Sequence, residues 1–437
     1  MDRAILHSDL NCFYASVEML HHPEYGNRPL AVGGDPEARH GIVLTANYPA
    51  KRLGVKTGMA LWQAKQACPD VIFVPPHMDL YFRFSKLAHD IYSEYTDLQE
   101  PFGIDESWLD ITRSVSAKGD PMLIAQEISR RIKHELGLTV SIGISWNKIF
   151  AKFGSDYKKP DAITAVTREN YKDIVWKAPA ADLLYVGRST NRKLASIGIR
   201  TIGDIAVLSP DILTSFFGKM GLILWVFANG NDETPVSIEN SSSPIKSIGN
   251  STTTPRDLVC YDDVKTVIYL LSESVASRLR DNHFAGRVIG ISVRDNGLFS
   301  FVRQHKTDIP TNISDEIARG AMSLFESSYD WSKPIRSVGV RVADLTPDEY
   351  CYQIDLFNDP FRREKQLQTD AAVDSIRSRY GHESVMRAMM YLDRALSGLD
   401  AKADDHMNHP HSYFERGNRV FDEENRKEAL YGYKDRL

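Results

Sequence analysis

The chain has 437 residues, of which 42% are hydrophobic and 25% charged, with a net charge of −5. This length exceeds what one hydrophobic core can organise, so several domains are expected. The four cysteines form no CxxC pair, which argues against a zinc ribbon or a disulfide framework. The first residues lack a signal-peptide pattern. Together these features predict a cytoplasmic protein with no membrane span.

The first 166 residues alternate between strand-like and helix-like patterns. The strands are predicted at residues 4–10, 107–112 and 139–145, and the helices at residues 13–20, 59–67, 80–95 and 122–136. This order predicts an antiparallel sheet backed by helices, with residues 30–76 inserted as a small subdomain.

From about residue 167 the pattern changes to short helices punctuated by glycines. Residues 234–244 are poor in large apolar side chains and rich in Ser and Pro, which is typical of a linker. A second α+β unit is predicted beyond it, with helices at 264–280 and 313–327, a hairpin of 287–293 and 298–303, and a strand at 336–342. Residues 362–396 are predicted to be helical, and the remainder is polar.

Three acidic residues stand where catalysis could use them. Asp9 ends the first strand, just before a helix whose first turn presents free N–H groups. Asp105 and Glu106 are adjacent, so both reach one site only if the chain bends, which Pro101 and Gly103 allow. Converging carboxylates bind divalent cations, and two Mg²⁺ ions support an in-line phosphoryl displacement. Each acid taken alone is better explained by a surface or capping role.

Three longer motifs carry a resemblance to a known family. They are SDLNCFYASVE (residues 8–18), GIDESWLDIT (103–112) and SIGISWNKIFAKFGSDYKKPDAI (141–163). Together, in this order, they resemble the signature blocks of the Y-family translesion DNA polymerases of the bacterial DinB type, and KSIGNSTTTPRDL (246–258) extends the similarity over roughly residues 1–345. The resemblance implies an α+β fold shaped like a right hand, and an enzyme that adds deoxynucleotides to a primer 3′ end opposite damaged templates.

The resemblance also implies a domain order. A ferredoxin-like palm (1–29 and 78–166) is interrupted by small fingers (30–77). A helical thumb (167–233), a linker (234–244), an α+β little finger (245–346) and a C-terminal tail (347–437) follow.

Catalytic roles carry over residue by residue. Asp9, Asp105 and Glu106 are implied to ligate two Mg²⁺ ions, with the backbone carbonyl of Leu10 as a further ligand and Glu106 near the primer 3′-hydroxyl. The chain has Asn11 where many relatives have Asp, at a position not implied to be essential for metal binding.

The same resemblance implies the nucleotide pocket. Tyr14 corresponds to the steric gate, an aromatic ring that excludes a ribose 2′-hydroxyl by close packing. Residues implied to contact the incoming nucleotide are Cys12, Phe13, Tyr14, Thr45, Tyr48, Lys51, Arg52 and Lys159. The family usually has Arg at the position of Lys51, and Lys cannot grip phosphate bidentately, so the sequence leaves open whether Lys51 or Arg52 contacts the triphosphate.

Two regions are candidates for holding primer-template DNA. Gly187 and Gly198 belong to a stretch that resembles a helix-hairpin-helix, in which backbone N–H groups approach phosphates. In the implied little finger the candidates are Lys246, Arg287, Arg303 and Arg341, and the last three are predicted to line one face of the sheet. A solvated charged face explains the same residues equally well.

A short motif follows the last predicted strand. Gln353, Leu356 and Phe357 match the QxxLF pattern with which bacterial polymerases bind the β sliding clamp, where Leu and Phe enter an apolar pocket. The alternative is an apolar patch that packs on the following helix.

The sequence thus predicts a monomeric polymerase whose partners are primer-template DNA, deoxynucleoside triphosphates and the clamp. One alternative is an inactive family member bound to DNA or clamp, which the intact acids disfavour. The other is a different two-metal enzyme such as a nuclease or nucleotidyl cyclase, which Tyr14 as a sugar gate and the thumb and little-finger segments disfavour.

Overall fold

The computed structural model describes residues 3–34, 41–115, 119–238, 245–348 and 360–399. These residues divide into two compact units, one made of 3–34 with 42–238 and the other of 245–348 with 360–399. No helix among them is long and apolar enough to cross a membrane.

The first unit contains eight described strands and eleven described helices. The strands are β1 (Ile5–Leu10), β2 (Leu30–Gly33), β3 (Val43–Ala46), β4 (Ile72–Val74), β5 (Gln99–Pro101), β6 (Glu106–Asp110), β7 (Val140–Ser145) and β8 (Ile163–Ala165). The helices are α1 (Phe13–His21), α2 (Tyr48–Arg52), α3 (Leu61–Ala67), α4 (Met78–Ser93), α5 (Pro121–Leu136), α6 (Lys148–Tyr157), α7 (Tyr171–Ile174), α8 (Arg188–Ser196), α9 (Ile202–Val207), α10 (Pro210–Phe217) and α11 (Lys219–Ala228).

A five-stranded sheet in the order β5–β6–β1–β7–β8 forms the centre of this unit. β1 pairs antiparallel with β6 and β7, whereas β8 pairs parallel with β7. The prediction of an antiparallel sheet was therefore wrong at this edge. The reason is the crossover through α6, which returns the chain to the same end of the sheet, and a residue pattern does not encode that direction.

The alternation of side chains along β1 decides which residues face α6. Leu6 and Leu10 are buried in the core formed with α4 and α5, and Ser8 on the same side bonds to Tyr92 of α4. Ile5 and the following odd-numbered residues face α6 instead. A side chain on Gly143 of β7 would overlap the backbone of Ala151 in α6, so glycine permits this close approach of helix and sheet.

A second, three-stranded sheet in the order β3–β2–β4 has its own core with α2 and α3. This is the subdomain that the sequence predicts at residues 30–76.

The last part of the first unit is a set of short helices, α7 to α11, as the glycine pattern predicts. Gly198 adopts a φ of +84° in the turn between α8 and α9, a conformation that favours glycine. Thr201 then caps α9 by accepting a hydrogen bond from the backbone N–H of Asp204.

The predicted linker begins as an anchored segment. Val236 is buried with Ile5 and Trp108, and the backbone N–H of Ser237 donates to the carboxylate of Glu100 at 2.9 Å. Residues 234–238 of the predicted linker therefore pack on the first unit through Val236 and Ser237. Residues 239–244 lie outside the described part of the chain.

The second unit is built on a four-stranded antiparallel sheet in the order β11–β10–β12–β9. Its elements are β9 (Ser247–Leu258), α12 (Tyr261–Asp281), β10 (Phe284–Asp295), β11 (Ser300–Thr311), α13 (Ser314–Ser328), β12 (Ile335–Pro347), α14 (Pro360–Tyr380) and α15 (Arg394–Ser397). The 12-residue strand β9 was not predicted, because its Ser- and Thr-rich sequence lacks an apolar alternation.

The segment that follows β12 packs on this unit. The predicted helix of residues 362–396 ends at Tyr380, where Gly381 has a φ of +90°, and two 3₁₀ turns and α15 follow. Met390 and Leu396 are fully buried in the core beneath the sheet. Arg377 donates to the buried carboxylate of Glu273 on α12 at 2.9 Å. Residues 360–399 are therefore an integral part of the second unit.

Candidate active site

The sheet register brings the three acidic residues to adjacent strand ends. Asp9 and Glu106 are direct partners in the β1–β6 pair, and the backbone N–H of Leu10 donates to the carbonyl of Asp105 at 2.9 Å. Asp105 precedes β6 in a turn where Gly103 has a φ of +87°. The bend needed for Asp105 and Glu106 to approach one site is thus present.

Two lysines of the α6 segment bond to these carboxylates. Lys159 lies 2.5 Å from Asp9 and 2.7 Å from Asp156, and Lys152 lies 2.5 Å from Glu106. Lys159, which is implied to bind the nucleotide, thus lies at the acidic cluster. Sequence reasoning missed Lys152 and Asp156, although their i,i+4 spacing on one helix face was a usable signal.

Burial and mutual repulsion make the two aspartates reluctant to ionise. Burial raises the pKa of Asp9 to about 6, against the opposing attraction of Lys159. Burial, followed by the charges of Asp9 and Glu106, raises the pKa of Asp105 to about 7. The carboxylates of Asp9 and Asp156 raise the pKa of Lys159 in spite of its burial. The site therefore concentrates negative charge that a cation would relieve.

His7 is a further buried group beside the acids. Its Nδ1 is 2.8 Å from the hydroxyl of Ser155, and its Nε2 is 3.5 Å from Glu106. Burial, with the nearby charge of Lys152, lowers its pKa to about 3, so the ring is neutral near pH 7. Sequence reasoning missed His7, although its position two residues before Asp9 places it on the same face of β1.

The donor set fits divalent cations, although the described residues contain no ready-made group of three metal-ligating His, Cys, Asp or Glu side chains. In this structure the lysine bonds hold the Asp9 and Glu106 oxygens. The donors are hard oxygens only, as Mg²⁺ prefers. A bound cation would offset the repulsion among the acids, which adds to the larger effect of burial on the pKa values of Asp9 and Asp105.

Tyr14, the candidate steric gate, lies in the first turn of α1 and is partly exposed. Its ring stacks on Tyr81 of α4, with centroids 4.4 Å apart and an interplanar angle of 8°. Burial, with the charge of Asp105, raises its pKa to about 12. Of its neighbours, Cys12 has a φ of 47° at the start of α1, and Phe13 is buried in the core.

The remaining nucleotide candidates lie on β3 and α2. The hydroxyl of Tyr48 is 3.3 Å from the side-chain amide of the buried Asn11, which connects α2 to the end of β1. The ammonium group of Lys51 lies over the Tyr48 ring, 5.1 Å from its centroid, and Arg52 is exposed one residue later. Thr45 is partly exposed on β3.

The structure separates the arginines that were expected to line one sheet face, namely Arg287, Arg303 and Arg341. Gly290 is paired with Arg341 on β12 and with Gln304 on β11, so the side chains of Arg341 and Gln304 lie on the same face of the sheet. Arg303 precedes Gln304 by one residue, is paired with Ile291, and therefore lies on the opposite face. Arg287 stands at the register irregularity of β10. The single-face prediction was wrong because register is set by pairing across strands, which the arginine spacing does not reveal.

The other DNA candidates keep their predicted local settings. Gly187 is the N-cap of α8 and Gly198 lies in the α8–α9 turn, as a helix-hairpin-helix requires. Lys246 is exposed just before β9. The clamp-motif residues Gln353, Leu356 and Phe357 lie outside the described residues.

Three family models match the chain. The impB/mucB/samB family matches residues 8–156, its C-terminal domain matches residues 245–356, and a thumb-domain model named for DNA polymerase-iota matches residues 181–232. Together they span both compact units.

Curated relatives match nearly the whole chain. A protein named DNA polymerase IV from Acetivibrio thermocellus is 50% identical over 91% of this chain and 100% of its own length. DNA polymerase IV 2 of Bacillus subtilis is 36% identical over 89% of this chain and 94% of its own length. Among solved structures, a Y-family DNA polymerase chimera superposes with a TM-score of 0.69 at 24% identity, over 79% of this chain and 99% of the chimera, which supports the fold.

Proposed function

The chain belongs to the impB/mucB/samB family of Y-family translesion DNA polymerases, and from this membership and the site geometry we propose how it extends a primer. The family assignment makes it a DNA-directed DNA polymerase that uses divalent metal, DNA and nucleotides. The proposal concerns which residues do the work.

The proposed catalytic group is Asp9, Asp105 and Glu106, with the carbonyl of Leu10. These oxygens would hold two Mg²⁺ ions, which when bound supply charge neutralisation and activation of the primer 3′-hydroxyl. The support is the pairing of Asp9 with Glu106 and the backbone bond from Leu10 to Asp105, which gather oxygens from two distant sequence segments. This meeting of the acids is the observation that carries the proposal.

The proposed nucleotide contacts lie around this group. Lys159 binds the triphosphate after leaving Asp9, and the hydroxyls of Tyr48 and Thr45 donate to phosphate oxygens. Tyr14 acts as the steric gate against a 2′-hydroxyl, supported by its partly exposed ring in the first turn of α1. Cys12 and Phe13 shape the pocket mainly through backbone and packing.

DNA and partner contacts complete the proposal. The α8–α9 turn would hold the primer-template backbone through N–H groups near Gly187 and Gly198. In the second unit, Lys246, Arg287, Arg303 and Arg341 would contact phosphates from more than one side of the sheet. The proposed enzyme acts as a cytoplasmic monomer that binds the β sliding clamp through Gln353, Leu356 and Phe357.

The test is primer extension on an undamaged and a lesion-containing template with Mg²⁺ and single dNTPs. Wild type should extend both templates, and Glu106→Ala should extend neither while still binding the primer-template. Retained extension by Glu106→Ala would reject the catalytic assignment, and release of nucleotides from the primer instead of extension would favour a nuclease.

A further inference from the structure

Tyr14 is supported from behind by a second tyrosine. The rings of Tyr14 and Tyr81 are nearly parallel, 4.4 Å apart at 8°, and form a contact between α1 and α4. Tyr81 is fully buried, whereas Tyr14 is partly exposed. A ring that excludes a single oxygen by contact does so only if it cannot recede, and Tyr81 lies against one face of that ring.

Tyr81 is itself fixed by a buried carboxylate. Its hydroxyl donates to Oε1 of Glu18 at 2.5 Å, and His77 Nδ1 is 2.9 Å from the same oxygen. Glu18 is only 1% exposed, and its other oxygen is buried without a hydrogen-bond partner among the described residues. Burying a carboxylate is costly, and the proposed chemistry makes no use of Glu18. The hydrogen bond to Glu18 sets the position of the Tyr81 ring.

We propose that Tyr81, held by Glu18, is a positioning residue for sugar discrimination: it keeps the Tyr14 ring against the site of the 2′-hydroxyl. This inference rests on the proposed gate role of Tyr14. It assigns part of the specificity for deoxynucleotides to two residues that do not touch the nucleotide.

The molecule offers a matched control in the same helix pair. Phe84 of α4 contacts His21 at the end of α1, with ring centroids 5.9 Å apart. Phe84→Ala therefore removes an aromatic contact between α4 and α1, as Tyr81→Ala does, but away from the gate.

The experiment measures kcat/KM for a dNTP and for the rNTP with the same base, in wild type, Tyr14→Ala, Tyr81→Ala, Tyr81→Phe, Glu18→Gln and Phe84→Ala. The ratio of the two values should fall about tenfold or more in Tyr81→Ala, largely through faster rNTP use. Tyr81→Phe keeps the stacked ring but loses the hydrogen bond to Glu18, so the ratio should fall by about threefold, less than in Tyr81→Ala. Glu18→Gln keeps an acceptor oxygen for the Tyr81 hydroxyl and should lower the ratio by no more than Tyr81→Phe does. Phe84→Ala should leave it unchanged.

One result would overturn the inference: an unchanged ratio in Tyr81→Ala when Tyr14→Ala loses discrimination. The ratio stays unchanged either because both kcat/KM values keep their wild-type level or because they fall in parallel, as a purely structural role would produce. An unchanged ratio in Tyr14→Ala would instead reject the gate itself. If Tyr81→Ala does not fold, Tyr81→Leu, which fills the space without a flat ring, gives the same comparison.

Discussion

Asp9 and Glu106 face each other across the β1–β6 pair, and each carboxylate bonds at 2.5 Å to a different lysine, Lys159 and Lys152 respectively. Two of the three acids are therefore paired with lysines of their own unit. Whatever binds these carboxylates has to compete with two ammonium groups, one of which is also a candidate triphosphate ligand.

The first prediction concerns Glu106. Glu106→Gln keeps the shape of the side chain and removes its charge, so kcat for single-nucleotide incorporation should fall by about 10²–10³-fold. Primer-template affinity, measured by fluorescence anisotropy, should stay within about twofold, since phosphate contacts elsewhere dominate binding. Glu127→Gln, which changes an exposed acid on α5, is the control. Equal activity of both variants would contradict the role assigned to Glu106.

The second prediction concerns metal removal and Lys152. Lys152→Met leaves Glu106 without its counter-charge, which should lower the free energy of unfolding in EDTA by about 1–3 kcal/mol. Saturating Mg²⁺ should restore part of this loss, as measured by urea denaturation. Lys148→Met breaks the bond of the preceding helical turn to Glu100, which is not one of the three acids, and its effect should be the same in EDTA and Mg²⁺. A Lys152→Met deficit that Mg²⁺ does not reduce would count against cation binding here.

The third prediction separates Lys51 from Arg52. Lys51 lies over the ring of Tyr48, whose hydroxyl is proposed to donate a hydrogen bond to the triphosphate. Lys51→Ala should therefore raise KM for dNTP by about tenfold. Arg52→Ala should change it by less than about threefold. Steady-state kinetics on an undamaged template decide between them, and the reverse order of effects would assign the contact to Arg52.

The fourth prediction concerns the clamp motif. Leu356→Ala with Phe357→Ala should abolish the stimulation of synthesis by the β clamp on singly primed circular DNA, because the two side chains would no longer fill an apolar pocket. Distributive synthesis without clamp should be unchanged. Ile354→Ala, inside the motif but not one of its defining positions, serves as the control. Full stimulation of the double variant would remove the motif from the proposal.

The fifth prediction is a pH dependence of stability. Arg256 binds Asp263 at 2.7 Å, and this bond holds the pKa of Asp263 at about 2, below its usual value. A lowered pKa in the folded state contributes stability that is present above the unfolded value near pH 4 and is lost as pH falls through about 2. Asp263→Asn should therefore lower the free energy of unfolding at pH 6 by about 0.5–1 kcal/mol, with a smaller difference below pH 3.

Asp262→Asn gives the matched comparison for this fifth prediction. Both acids lie in the first turn of α12, but Asp262 is exposed. A pH-dependent loss of equal size in both variants would mean that the effect comes from the helix terminus and not from the Arg256 bond.

The sequence predicted most elements to within a few residues where periodicity was strong. The helix expected at 122–136 is observed at Pro121–Leu136, and the family motifs identified the polymerase and its α+β fold. Three features were not predictable, because pairing between distant strands decides them: the direction of β8, the presence of strand β9, and the sheet faces on which the arginines of β11 and β12 lie. The residue roles at the site remain predictions.

The site shows the same division between local and distant information. That Asp9 lies near the end of an apolar strand is visible in the sequence, but its bond to Lys159, 150 residues further along the chain, is visible only in the folded structure. Likewise Glu18 looks like one more polar residue on a helix, and only the packing of α4 on α1 reveals that it is buried beneath Tyr81.

The way residues 360–399 pack on the second unit restricts where the chain can be shortened or recombined. A truncation after β12 would strip Met390 and Leu396 from a hydrophobic interior and leave Glu273 without Arg377 and Arg387, its two arginine neighbours. A chimera that exchanges this unit with a relative should therefore carry the donor's sequence through the equivalent of residue 399, or it will inherit an exposed, aggregation-prone surface.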